Sequence, residues 1–213
     1  MFEVKSIRYR YPDGTTLELP DWAAKQGEHR LLLGPSGSGK TTLLHLLAGV
    51  LHPDQGSVTV ADTDLAKLRG AAMDRFRGRH IGLVFQQIHL VHALTVLDNL
   101  LLAQYLAGLP QDPERAKSLL DELGLGEHMK RYPEQLSQGQ AQRVGLARAV
   151  VNKPRLILAD EPTASLDDRH CQTVLELLQQ QAAACGATLV VATHDGRIKA
   201  SFEHRLDLDV ETA

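Results

Sequence analysis

The sequence predicts an α/β fold in which a parallel-rich sheet carries helices and a mostly helical block is inserted midway. Three observations predict it. Apolar runs of strand length alternate with helical patterns from residue 30 onward. The opening stretch "FEVKSIRYRYPDGTTLEL" alternates apolar and polar residues on both sides of Pro12, Asp13 and Gly14, the pattern of a hairpin. Residues 31–44, "LLLGPSGSGKTTLL", break an apolar strand with glycines, serines and a proline and resume at once as a helix.

Each element follows from its own stretch. "HRLLLG" reads as a short buried strand and "KTTLLHLLAGVL" as a helix with Leu43, Leu44 and Leu47 on one face. "GSVTVAD" and "IGLVFQQ" are strands, the second ending in two amides. Residues 95–124 read as helical with a break at "GLPQDP", and "SQGQAQRVGLARAVVN" as a further helix. "RLILADEP" and "ATLVVATHD" are apolar strands ending in acids or histidine, and "DDRHCQTVLELLQQQAAA" is the helix between them. The expected organisation is one domain: residues 1–88 and 153–213 form the core, and residues 89–152 the inserted helical block.

The chain's 213 residues suffice for one substantial core. A net charge of -3 gives no support for a broad nucleic-acid surface. Two cysteines, Cys171 and Cys185, make no disulfide framework and point to a reducing compartment. "MFEVKSIRYR" has no apolar signal core. "ALTVLDNLLLAQYLAGL" is interrupted by Asp98, Asn99 and Gln104, short of the ~20 predominantly apolar residues a membrane helix needs. A cytosolic chain that reaches a membrane only through a partner is expected.

The glycine-rich break matches G-x-x-x-x-G-K-[ST] between a strand and a helix. Gly34, Pro35, Ser36, Gly37, Ser38 and Gly39 let backbone N–H groups converge on phosphate oxygens at a helix N-terminus. Lys40 can reach the β- and γ-phosphates, and the Thr41 hydroxyl, followed by Thr42, can ligate Mg²⁺. "LILADE" delivers Asp160, suited to the metal, and Glu161, suited to accept a proton from an attacking water. "ATLVVAT" delivers His194 and Asp195 to the same sheet edge, with His194 suited to orient the water or sense the γ-phosphate. Gln86 ends "IGLVFQ" and could reach the metal or the water. In "LSQGQ", Ser137 and Gln140 form a capping box, and Gly139 has no use in a first helical turn unless a backbone must approach closely. That turn carries no acid, which suits an outside anion.

"GPSGSGKT", "GLVFQQ", "LSQGQAQR", "LILADEPTASLD" and "ATHD" occur in the order found in ABC-family ATPases, which the chain resembles over essentially its whole length. The resemblance implies a P-loop NTPase core of the ABC type with an antiparallel β subdomain, a helical subdomain carrying the signature, and hydrolysis of ATP with Mg²⁺. It also implies a head-to-tail homodimer with ATP between one copy's phosphate loop and the other's signature, working with a membrane-embedded permease at the cytoplasmic face of the inner membrane. By the same resemblance Tyr11 stacks on adenine, Gln86 senses the metal, and Ser137, Gly139 and Gln140 grip the γ-phosphate in trans. Asp160 is the metal-associated acid, Glu161 the catalytic base, Asp167 the link between the two sites, and His194 the switch. Gln138 stands where glycine is commonest, and the tail "HRLDLDVETA" stops soon after the last strand, so a regulatory C-terminal domain of the sugar-importer kind is not expected. The stretches around Gln86 and Ser137 look most like the branch serving lipoprotein release, macrolide export and cell division. A regulatory ATPase of the cell-division type is the alternative. A soluble ATPase of DNA repair or translation fits less well, because no coiled-coil insertion is present.

"QQIHLVHALTVLDNLLLAQ" has more apolar residues than one amphipathic face requires. Val91, Leu94, Leu97 and Leu101 fall at helical spacing and read as core. Ile88, Leu90, Val96, Leu100 and Leu102 lie off that stripe and are expected in part on a surface that docks the membrane partner.

Overall fold

The computed structural model describes residues 1–163 and 168–208. Strands β1 (Phe2–Arg10), β2 (Thr16–Leu19), β3 (Trp22–Ala24) and β4 (Arg30–Leu33) open the chain, followed by α1 (Lys40–Leu47), β5 (Gln55–Val60) and β6 (Thr63–Asp64). The middle contributes α2 (Ala71–His80), β7 (Ile81–Val84), α3 (Val96–Leu106), α4 (Pro113–Glu122) and α5 (Gln138–Val150). Then come β8 (Leu156–Asp160), α6 (Asp168–Cys185), β9 (Thr188–Thr193) and β10 (His204–Asp207).

Two sheets result. The antiparallel sheet runs β2-β1-β5-β6, with β3 also on β1. Its first hairpin is the expected one: Arg10 pairs with Thr16, the Tyr11 N–H donates to Thr15 O at 2.8 Å, and Gly14 turns at φ 91°. The second sheet is parallel throughout, in the order β10-β4-β9-β8-β7. Side-chain alternation divides its interior strands between two cores. Leu31, Leu33, Ile157, Ala159, Leu189 and Val191 face a cluster shared with α3, α4, α5 and α6. Leu32, Leu156, Leu158, Val190 and Ala192 face the cluster that holds α1 and the antiparallel sheet.

Helix α1 is therefore the filling between two sheets. Leu46 is buried along with Leu43, Leu44 and Leu47, so the single apolar face read from the sequence understates it. Helices α3 and α4 are delimited as the residue types require. Thr95 caps α3 by accepting from the Asp98 N–H, and Asp112 caps α4 ahead of Pro113. Gly108 and Gly124 leave them at φ 63° and 66°.

Three features differ from the sequence expectation. Helix α2 has no counterpart among the sequence's apolar periods, because only Met73 of its ten residues is buried. The tail is not all beyond the sheet: His204–Asp207 adds β10 parallel to β4. The apolar stripe of α3 is the reverse of the one expected. Val96 and Leu100 are buried with Leu90, whereas Val91 is exposed, and Leu94, Leu97 and Leu101 are only partly covered. The helix begins at Val96, so a period counted from Val91 runs through a non-helical loop and loses phase. That loop is held by buried Asn99, whose amide nitrogen donates to the carbonyls of Val91, Leu94 and Thr95 while its oxygen accepts from the Val91 N–H.

Candidate functional site

The carboxyl ends of β4, β9, β8 and β7 lie side by side, and each delivers candidate residues to one edge. Leu33 pairs with Thr193 and Ala192 with Asp160, so the loop after β4, His194 after β9 and Glu161 after β8 emerge at one level. Gln86 follows two residues after β7 on the same edge.

The loop from Gly34 to Gly39 turns β4 into α1. Gly37 and Gly39 adopt φ 83° and 92°, which only glycine takes without strain. Gly34 is fixed by space: a Cβ there would lie 2.5 Å from Ser38 Oγ and 2.6 Å from Leu208 O. Pro35 and Ser36 are exposed, whereas Ser38, Lys40 and Thr42 are buried. The Lys40 ammonium donates to the carbonyls of Gly34 and Pro35 at 2.8 and 3.0 Å and lies 3.7 Å from Glu161 Oε1. The Tyr11 hydroxyl and Thr42 Oγ1 share a 2.6 Å hydrogen bond that ties the N-terminal hairpin to the first turn of α1.

The acids interlock with this loop. Thr41 Oγ1 donates to Asp160 Oδ2 at 2.8 Å. Asp160 Oδ1 is buried with no hydrogen-bond partner among the described residues. Burial is the main cause that raises the Asp160 pKa above the usual carboxylate value, helped by the neighbouring Glu161 and opposed by Thr41. A hydroxyl beside an unpartnered carboxylate oxygen fits a hard divalent cation. Among the described residues no group of three or more His, Cys, Asp or Glu side chains forms a cage, so such an ion would need oxygens from a ligand.

Glu161 stands at φ 46°, in the left-handed region, and its carboxylate is gripped from β9. Thr193 Oγ1 donates to Oε2 at 2.8 Å, while the His194 backbone N–H and Nδ1 approach Oε1 at 3.2 and 2.9 Å. A carboxylate only accepts, so the His194 proton in this contact sits on Nδ1. Thr193 is a residue that sequence reading passed over. Its signal was the threonine inside "ATHD", fully buried and polar directly after the four apolar residues Leu189–Ala192. Asp195, by contrast, turns to Arg197, which holds its carboxyl below the usual range.

A second group forms at the N-terminus of α5. Ser137 Oγ accepts from the Gln140 N–H at 3.3 Å, and Gln140 Oε1 accepts from the Ser137 N–H at 2.9 Å, closing the expected capping box. Gly139 is different from the loop glycines: its φ is not positive, and a Cβ there would meet nothing within 4 Å. Gln86, Ser137, Gly139 and Gln140 line a common cavity of about 510 Å³. Asp167 lies outside the described residues.

Comparison with known proteins gives these features a family. The ABC transporter family model matches residues 17–164. The lipoprotein-releasing system ATP-binding protein LolD of Shewanella oneidensis is 36% identical over 214 residues, spanning 98% of this chain and 93% of its own length. An uncharacterized ABC transporter ATP-binding protein of Mycobacterium bovis is 43% identical over 198 residues, spanning 92% of this chain but 58% of the relative. A dimeric post-hydrolysis structure of the ATP-binding cassette MJ0796 bound to ADP and Pi aligns with a TM-score of 0.87 at 32% identity, covering 100% of this chain and 97% of that one. The chain therefore belongs to the ABC transporter ATPase family.

Proposed function

We propose that this ATPase drives a membrane transport or extraction complex, bound to the cytoplasmic face of the inner membrane through a membrane-embedded permease. Two copies pair head to tail, with ATP between the phosphate loop of one and the Ser137 helix of the other. Full-length similarity to a protein named for lipoprotein release supports the extraction branch. Among the described residues no helix is long and apolar enough to cross a membrane, which fits attachment through a partner.

The residues divide the chemistry as follows. Tyr11 stacks on adenine, and its bond to Thr42 keeps the ring beside α1. Backbone N–H groups from Gly34 to Gly39 and the Lys40 ammonium bind the phosphates. Thr41, Asp160 and Gln86 would hold Mg²⁺, which when bound spreads the negative charge of the phosphate oxygens. Glu161 accepts the proton of the attacking water as the water oxygen bonds to the γ-phosphorus and the bond from that phosphorus to the β–γ bridging oxygen breaks, releasing ADP and phosphate. His194 and Thr193 orient that carboxylate. Asp167 links the two sites.

The observation that carries the two-chain arrangement is Gly139. A glycine in a helix costs up to about 1 kcal/mol relative to alanine. Nothing in its own chain demands it, since a side chain there meets open space. A close approach from outside does demand it, and the acid-free first turn of α5 favours an anion. Ser137→Arg should therefore abolish turnover while a single chain still binds nucleotide. Turnover near the parental rate would remove α5 from the site.

The membrane partner has a groove to occupy. A cleft of about 700 Å³ between α2, α3 and the loop after β7 has Leu83, Phe85 and Leu102 in its apolar lining. Val91 (41% exposed) and Leu106 (63%) rim it. Its charged lining is mainly Arg75, Arg77 and Arg148 against Asp74, which suits a cytoplasmic helical segment of the permease with an acidic flank. Phe85 adjoins Gln86, so docking and nucleotide would bias one loop, with reciprocal coupling. Val91→Glu with Leu106→Glu should abolish complex formation and spare nucleotide binding. Co-purification at normal stoichiometry would move the docking surface elsewhere.

A further inference from the structure

One side chain outside the family motifs is built into the capping box. His128 ends a short 3-10 turn, Gly126–His128, twelve residues before Gln140. Its Nε2 lies 2.7 Å from Gln140 Nε2. The amide's orientation is fixed, because Gln140 Oε1 already accepts from the Ser137 N–H. The group facing His128 is therefore the amide NH₂, a donor, and the imidazole Nε2 must accept. The ring proton then sits on Nδ1. That nitrogen is buried without a hydrogen-bond partner among the described residues. A ring that leaves one nitrogen unpaired in the interior in order to present the other is a poor structural filler.

The same turn is anchored on its far side. The carbonyls of Met129 and Arg131 accept the N–H groups of Leu97 and Val96, the first turn of α3. That turn of α3 carries orphan donors which its own helix cannot satisfy. Residues 128–131 thus bridge two helix N-termini: α3, which lines the docking groove, and α5, which carries Ser137 and Gly139.

We propose that His128 is a positioning residue for ATP hydrolysis: by accepting from Gln140 it fixes the Ser137–Gln140 box, and so the α5 N-terminus, to the turn that receives α3. The inference rests on the reading that this N-terminus completes a second copy's nucleotide site. Its bond to Gln140 does not contact nucleotide, so its loss alters the placement of Ser137 rather than the affinity of the phosphate loop.

The test uses the full chain and steady-state turnover with MgATP. His128→Phe keeps bulk and removes the acceptor. Turnover should fall about tenfold, as for one misplaced hydrogen-bonding group. The affinity of a single chain for a fluorescent ATP analogue should stay unchanged. His128→Gln, whose carbonyl can accept from Gln140, should recover most of the loss. In a Gln140→Ala background, His128→Phe should cost little more, because the bond is already gone. Thermal melting is recorded for each variant; should the phenylalanine unfold the chain, the smaller His128→Asn, whose amide falls short of Gln140, takes its place. Unchanged turnover, no rescue by glutamine, or an undiminished loss without Gln140 would each overturn the inference. Turnover that survives Ser137→Arg would remove it together with the two-chain reading, whereas a dead Ser137→Arg beside a normal His128→Phe would remove it alone.

Discussion

Two helix N-termini in this chain are built in opposite ways. At α1 the cap is Gly39 at φ 92°, with no side-chain cap, and Gly34 at the start of the loop is hemmed in by Ser38 and Leu208 of its own chain. Lys40, Thr41, Asp160, Glu161 and His194 are then tied to one another by hydrogen bonds and an ion pair. At α5 the cap is a closed Ser137–Gln140 box, and Gly139 looks onto open space. Neither helix has an acid in its first turn. In the two-chain arrangement proposed above, the first N-terminus is complete within one chain, whereas the second, with Gly139 facing open space, would complete a site in another copy.

Substitutions should separate the two ends. The largest effect is expected in the finished cradle: Glu161→Gln should cut turnover by ~10²–10⁴-fold, the usual share of a general base. It should leave the phosphate grip intact and accumulate an ATP-dependent dimer, read by size-exclusion mass. Near-parental turnover would take Glu161 out of that role. Next comes a matched pair of valines. Gly34→Val drives a side chain into Ser38 and Leu208 O, so it should lower stability by ~1–3 kcal/mol, as overpacking does, and lose nucleotide binding. At Gly139 a Cβ has nothing within 4 Å, so Gly139→Val should leave the melting temperature almost unchanged while abolishing turnover. Equal destabilisation by the two would erase the contrast.

The smallest effect concerns Asp160. Its folded pKa is raised by burial above the usual carboxylate value, so the chain favours the protonated form. Stability from this group is full below that value and is lost as pH rises through the folded pKa. At neutral pH, Asp160→Asn should therefore melt at a modestly higher temperature than the parent without added nucleotide or metal, and the gain should vanish in acid. It should also lose hydrolysis, since an amide serves a cation poorly. Urea or thermal melts at two pH values would show whether the sign is correct.

Much of this was legible in the sequence, for physical reasons that differ by region. The phosphate loop could be read because backbone chemistry dictates glycine at fixed spacing, and the strand-end acids because four apolar residues precede each polar break. The Ser137 box was legible because capping is local in sequence. Helix α2 was not, since one buried methionine leaves no period. The face of α3 was not legible because Asn99 holds residues 91–95 off the helical path, and nothing local announces that. His128 and Thr193 were passed over because each acts on a partner distant in sequence, Gln140 and Glu161, through contacts that only the fold creates.

The central claim is that an active site takes its two halves from different chains, and a linked dimer tests it most directly. Two copies are joined in one polypeptide, and Lys40→Ala and Ser137→Arg are placed either in different copies or in the same copy. With one substitution in each copy, one composite site carries both defects and the other carries neither, so ATP hydrolysis should persist. With both in one copy, each composite site carries one defect, and hydrolysis should be lost. The reverse pattern, activity when both lie in one copy and none when they are split, would mean that each chain hydrolyses ATP with its own Ser137 helix and would contradict the account.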